Sequence, residues 1–143
     1  MQNSECQKKF EEVAYLILRL TVGVIMAVHG WGKLTDFNTW SGHVVGMGIP
    51  LSGISAYLAV AGEFLGGLGV IAGALTRVAA FGIACTMAVA VFWVHFSHGL
   101  SAKDNGFEYP LTLLVAAIFI MAKGSGRFGV DAFCCKKNSC CDK

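Results

Sequence analysis

His95 and His98 stand three residues apart at the end of an apolar stretch, a spacing that puts both rings on one face of a helix. Two imidazoles with a nearby carboxylate can bind a transition metal, hydrogen-bond a quinone or relay protons. Two further histidines, His29 and His43, and the carboxylates Asp36, Asp104 and Glu108 sit at or near the ends of apolar runs. The alternative is structural. A histidine at a helix carboxyl end suits the helix dipole, and a glutamate beside Pro110 is ordinary helix-start chemistry. The His95-x-x-His98 spacing alone does not define a metal site, so no metal is assigned. Arg19 and Glu63 differ in kind, because each interrupts an otherwise apolar run, where an ionisable group is expensive and needs a reason. They can pair with each other as a structural ion pair, or serve function.

The cysteines are Cys6, Cys85, Cys134, Cys135, Cys140 and Cys141. Cys85, inside an apolar run, reads as a packing residue. The closing FCCKKNSCCDK matches no standard zinc spacing. It can bind a soft metal, carry lipid, exchange thiols, or be a mobile tail with reduced thiols.

The elements that must position these groups are apolar helices. Of the 143 residues, 55% are hydrophobic and 14% charged, against about 25% charged in an ordinary soluble domain. Four candidate helices cover Val13–Trp31, Leu51–Leu75, Val78–Phe96 and Phe107–Ala122. A bilayer core of roughly 30 Å calls for about 20 apolar residues, so the last is short, and Lys123 can snorkel to extend it. The fold class is all-α and integral to the membrane, a bundle of four transmembrane helices. Residues 1–12 form an amino-terminal segment, 13–123 the bundle, and 124–143 a cysteine-rich tail.

Between the first two helices, Phe37, Trp40 and Val44 form an amphipathic stripe that predicts a short interfacial helix, capped by Thr35 or Asp36. Thr76 and Arg77 mark a tight turn between the second and third helices. Gly62, Gly66, Gly69 and Gly73 fall on one narrow face and predict close helix packing.

Charge sets the expected orientation. Lys8, Lys9, Arg77, Lys123, Arg127, Lys136, Lys137 and Lys143 fall on one side, and only Lys33 and Lys103 on the other. Lysine and arginine gather on the cytoplasmic side, so both termini are expected there and the histidines on the outer side. At about 1.5 Å per residue, Glu63 lies about 18 Å from the cytoplasmic helix ends, His29 about 24 Å and His95 about 26 Å. Side chains lean toward their helix amino end. Glu63 then reaches toward His29 or His95 more readily than toward Arg19, giving a polar column through His98 and Glu108. The net charge of +2 is scattered and gives no reason to expect nucleic acid.

Four stretches in order, LILRLTVGVIMAVHGWGKL, GEFLGGLGVIAGALTR, NGFEYPLTLL and GSGRFGVD, resemble the DoxX family of small bacterial membrane proteins. The resemblance runs from Tyr15 to Asp131 and says nothing about the cysteine-rich tail. It implies a four-helix protein of the bacterial inner membrane, linked to quinone and to sulfur or thiol oxidation. On that implication Glu63, His95 and Glu108 are the candidate catalytic residues, and Arg19, His29 and His98 the candidate cofactor-binding ones. The chain carries no haem-attachment CxxCH, no Rossmann glycine motif and no iron–sulfur spacing. Redox chemistry would therefore need a quinone, a metal or a redox partner subunit. The alternative is a non-enzymatic carrier or assembly factor that binds a small solute, a metal or a partner protein. A bundle of four short helices is small, which leaves room for a homo-oligomer.

Overall fold

The computed structural model describes residues 2–137. Every regular element among them is helical. Helix α1 runs from Gln2–Thr35 and α2 from Phe37–Gly46. Helix α3 spans Ser52–Ala72 and α4 spans Thr76–His98, each containing a short π-helical turn. Helix α5 is Glu108–Lys123 and α6 is Val130–Lys137.

Helices α1, α3 and α4 are long and apolar enough to cross a membrane. Helix α5 has 16 residues, about 24 Å of rise, shorter than the bilayer core. Tyr15, Val22 and Met26 of α1, Val70 of α3, Ile83 and Met87 of α4, and Leu113, Ala117 and Ile120 of α5 form one buried core. Residues between these positions point outward. Ile17, Val24, Val28, Leu58, Leu65, Phe81, Phe92, Val115 and Phe119 are all uncovered by the chain. A soluble monomer rarely shows so large an apolar surface, whereas lipid accepts it. Cys85 is exposed on α4, so it does not pack inside the chain as its apolar setting suggested.

Small residues set the helix spacing. A Cβ on Gly67 would lie 2.5 Å from the Ala27 amide nitrogen, and one on Gly23 would lie 3.0 Å from the Gly67 carbonyl oxygen, so α1 and α3 meet backbone to backbone. Gly62, Gly66 and Gly69 face α4 instead, against Gly82, Ile83 and Ala79. Gly73 does not continue that face. Its φ of 68° places it in the left-handed turn that ends α3. The turn between α3 and α4 is accordingly Gly73–Leu75, and Thr76 and Arg77 open the next helix.

Helix α2 is the expected amphipathic piece. Asp36 caps it through the Thr39 amide, 3.4 Å. Val44 is buried, Phe37 stacks on Tyr57 at 4.4 Å between ring centroids, and the Trp40 indole donates to the Ala56 carbonyl at 3.3 Å.

The segment after α5 is stitched beneath the α3–α4 turn. Arg19, 1% exposed, donates to the Ser125 carbonyl, to Phe128 O at 3.3 Å and to Ile71 O at 3.5 Å. Tyr15 donates its hydroxyl to the Gly124 carbonyl. Asp131 accepts from the amides of Leu75 (2.8 Å) and Thr76 (2.9 Å) and from the Thr76 hydroxyl (2.8 Å), capping α4. Residues 124–131, which composition assigns to the tail, thus close one end of the bundle. Lys123 and Glu12 (3.8 Å) lie at that same end.

Candidate functional site

The opposite end holds a cavity, and two helix irregularities shape it. In α3 a π turn occupies Ala61–Leu65, with Glu63 at its centre. In α4 a second π turn occupies Ala90–His95 and passes into a 3₁₀ turn at Phe96–His98. Such turns break the regular rotation of side chains and often mark functional sites. Gly62 within the first turn and Gly66 just after it weaken the local preference for a regular α-helix.

Glu63 is 2% exposed and pairs with Lys33, Nζ to Oε1 2.6 Å. The Lys33 ammonium also lies over the Trp40 ring, 4.1 Å from its centroid. Helix α1 continues to Thr35, so Lys33 belongs to its last turn and not to an outer loop. The second carboxylate oxygen, Oε2, is buried without a hydrogen-bond partner among the described residues. Glu63 and Lys33 help line a cavity of about 380 Å³, together with His29, His95, Asn105 and Tyr109 and the apolar Met26, Met87, Pro110 and Leu113.

The histidines are held differently. His95 Nδ1 lies 2.7 Å from the Asn105 carbonyl oxygen. A carbonyl only accepts, so Nδ1 donates to it, and Nε2 is the nitrogen left to accept in that tautomer. His29 Nε2 and the Tyr109 hydroxyl are 3.3 Å apart and bridge α1 to α5. The loop between α4 and α5 forms a strap over the site. Its shape is fixed by Glu108 Oε1 accepting from the Ala102 amide at 2.8 Å, and by backbone bonds from Gly106 to Ser101 and from Phe107 to Gly99.

The sequence-expected residues therefore divide. Glu63, His29 and His95 line one cavity. Glu108 braces the strap and is not among the lining residues. His98 is exposed, its ring 6.5 Å from that of His95 and its Nδ1 3.5 Å from the Ser97 hydroxyl. His43 is exposed in the last turn of α2. Arg19 bonds the closing segment at the other end, so the Arg19–Glu63 ion pair does not form. No group of three or more metal-ligating side chains occurs among the described residues. Cys6 and Cys134 are exposed, while the side chain of Cys135 and all of Cys140 and Cys141 lie outside the described residues. Lys33, Tyr109 and Asn105 escaped the sequence reading. A signal for Lys33 existed, since it shares a helical face with Met26 and Gly30.

A cavity with an ion pair at its wall, set in an apolar helical jacket, marks the candidate site of a membrane protein. The family model described as DoxX matches residues 14–96, and the chain belongs to the DoxX family. It is 28% identical over 130 residues to Inner membrane protein YqjF of Escherichia coli (strain K12), covering 91% of this chain and 98% of that protein. It is 32% identical over 124 residues to a Bacillus subtilis (strain 168) protein named "Putative oxidoreductase CatD", covering 85% and 87%. No solved structure matches it.

Proposed function

We propose that this protein is the membrane subunit of a redox system, a four-helix inner-membrane bundle that takes a quinone-type carrier into the cavity around Glu63. The electrons come from a sulfur or thiol donor through a partner subunit, and both termini lie in the cytoplasm. The observation that carries the reading is the cavity. At about 380 Å³ it falls within the usual range for small-ligand sites, roughly 300–1,000 Å³. Its walls combine apolar and titratable side chains, as an aromatic carrier that exchanges protons requires. The oxidoreductase name of the Bacillus relative supports the redox class.

A quinone, when bound, supplies two-electron, two-proton chemistry. The chain supplies the rest. Met26, Met87 and Leu113 hold a ring by apolar contact. Glu63, held by Lys33, is the group that takes or gives a proton within the bundle. His95, steered by Asn105, turns its free nitrogen to the same task. The His29–Tyr109 pair closes the side between α1 and α5, and Glu108 fixes the strap above.

The test is extraction of the purified full chain from native membranes, with chromatography for quinones and elemental analysis for metals. Bound quinone is expected, and it should be lost in Ala90→Phe, which fills the cavity. Metal without quinone would overturn the redox reading and favour a carrier of solute or metal. Neither would leave an assembly or interaction role.

A further inference from the structure

The cavity's free hydrogen-bonding groups are unequal, and the inequality bears on which redox form it holds. This inference rests on the quinone reading above. The backbone donors are spent and the side-chain donors are partly engaged. Among the lining backbone groups of the strap, the Ala102 amide is taken by Glu108, that of Asn105 by Ala102 O and that of Gly106 by Ser101 O. Pro110 has no N–H. His29 and Tyr109 engage each other, which uses one of their two donors. Lys33 keeps spare protons, but its ammonium is clamped between Glu63 and the Trp40 ring. The Asn105 side-chain amide can donate or accept and does not discriminate.

The acceptors are not spent. Glu63 Oε2 is buried without a partner among the described residues. His95 Nε2 is left as an acceptor because Nδ1 is committed to Asn105 O. A buried, unpartnered carboxylate oxygen is costly, and a donor that reaches it recovers that cost. A hydroquinone carries two O–H donors. The oxidised quinone offers only carbonyl acceptors, which these two atoms repel.

We infer that Glu63 and His95 make this site select the reduced, hydroxyl-bearing form of its aromatic carrier over the oxidised form. One charge-assisted hydrogen bond is enough for a preference of about tenfold. By linkage the carrier is then a stronger oxidant in the site than in the free membrane, by about 30 mV per tenfold for a two-electron couple.

The experiment measures binding of decylubiquinol and decylubiquinone to the full chain in detergent, the former under argon, by equilibrium dialysis. The wild type should bind the quinol about tenfold more tightly. Glu63→Gln puts an amide donor where an oxygen was, and should abolish or reverse the preference. His95→Phe should shrink it and serves as the second variant if Glu63→Gln does not fold. Equal binding, or tighter quinone binding by the wild type, overturns this inference and leaves the quinone reading intact. Failure to bind either form overturns both.

Discussion

Lys33 Nζ lies 2.6 Å from Glu63 Oε1, joining the last turn of α1 to the π turn of α3 at the wall of the cavity. Desolvating two charges is costly, and the pair's attraction repays it only while both partners are present. Lys33→Met therefore leaves an uncompensated carboxylate. The expected loss is about 2–3 kcal/mol, below the full range for a buried pair because Lys33 keeps some solvent contact. Glu63→Gln on the same background should restore at least half of that loss. Thermal unfolding of the four proteins of this cycle, followed by tryptophan fluorescence in detergent, checks it. Strictly additive losses would mean that the two side chains do not couple.

The helices were legible in the sequence because lipid demands long apolar runs, and α1, α3 and α4 announce themselves by composition. The short amphipathic helix was legible too, since Phe37, Trp40 and Val44 recur at helical spacing and all three meet the bundle or α3. The site was legible only in part. Periodicity assumes a constant 3.6 residues per turn, and the π turns at Ala61–Leu65 and Ala90–His95 break it where it matters. Lys33 follows the apolar run that ends at Trp31 and reads as an orientation charge, whereas the helix itself continues to Thr35 and carries it into the site. Arg19 was legible as anomalous but its partners were not. They are backbone carbonyls at Ile71, Ser125 and Phe128, the last two more than a hundred positions away, and nothing in residue type marks a carbonyl.

Asp131 makes the far end of the bundle sensitive to acid. Burial pushes its carboxyl up, but hydrogen bonds from Thr76 and Leu75 and the nearby Arg19 charge outweigh this and hold it below the usual 3.8. A carboxyl lowered in the folded state adds stability that is fully present above its unfolded value and is lost as pH falls through the folded one. The protein should therefore hold a constant melting temperature from neutral pH to about pH 5 and lose stability below about pH 4. Asp131→Asn should lower the melting temperature at pH 7 by the worth of a helix cap, about 1 kcal/mol, and flatten the acid limb. Melting curves between pH 3 and 7 check both. An unchanged acid limb in the variant would assign the effect to other carboxylates.

Orientation decides which compartment the cavity faces. Lys8 and Lys9 precede the first apolar turn, Arg77 opens α4, Lys123 ends α5, and Arg127 donates its amide to Glu12 at 3.3 Å. These groups collect at the end of the bundle closed by the Arg19 and Asp131 bonds. The cavity end carries Lys33, which is neutralised by Glu63, and Lys103 in the strap. Positive charge resists translocation, so the Arg19 end should face the cytoplasm and the strap the outer side. The measurement is labelling of single introduced cysteines, on a background with the native cysteines replaced by serine, using a membrane-impermeant maleimide on intact cells. A cysteine at Asp104 should label in intact cells. One at Phe10 should label only after the membrane is opened. The reverse pattern would put the cavity on the cytoplasmic side.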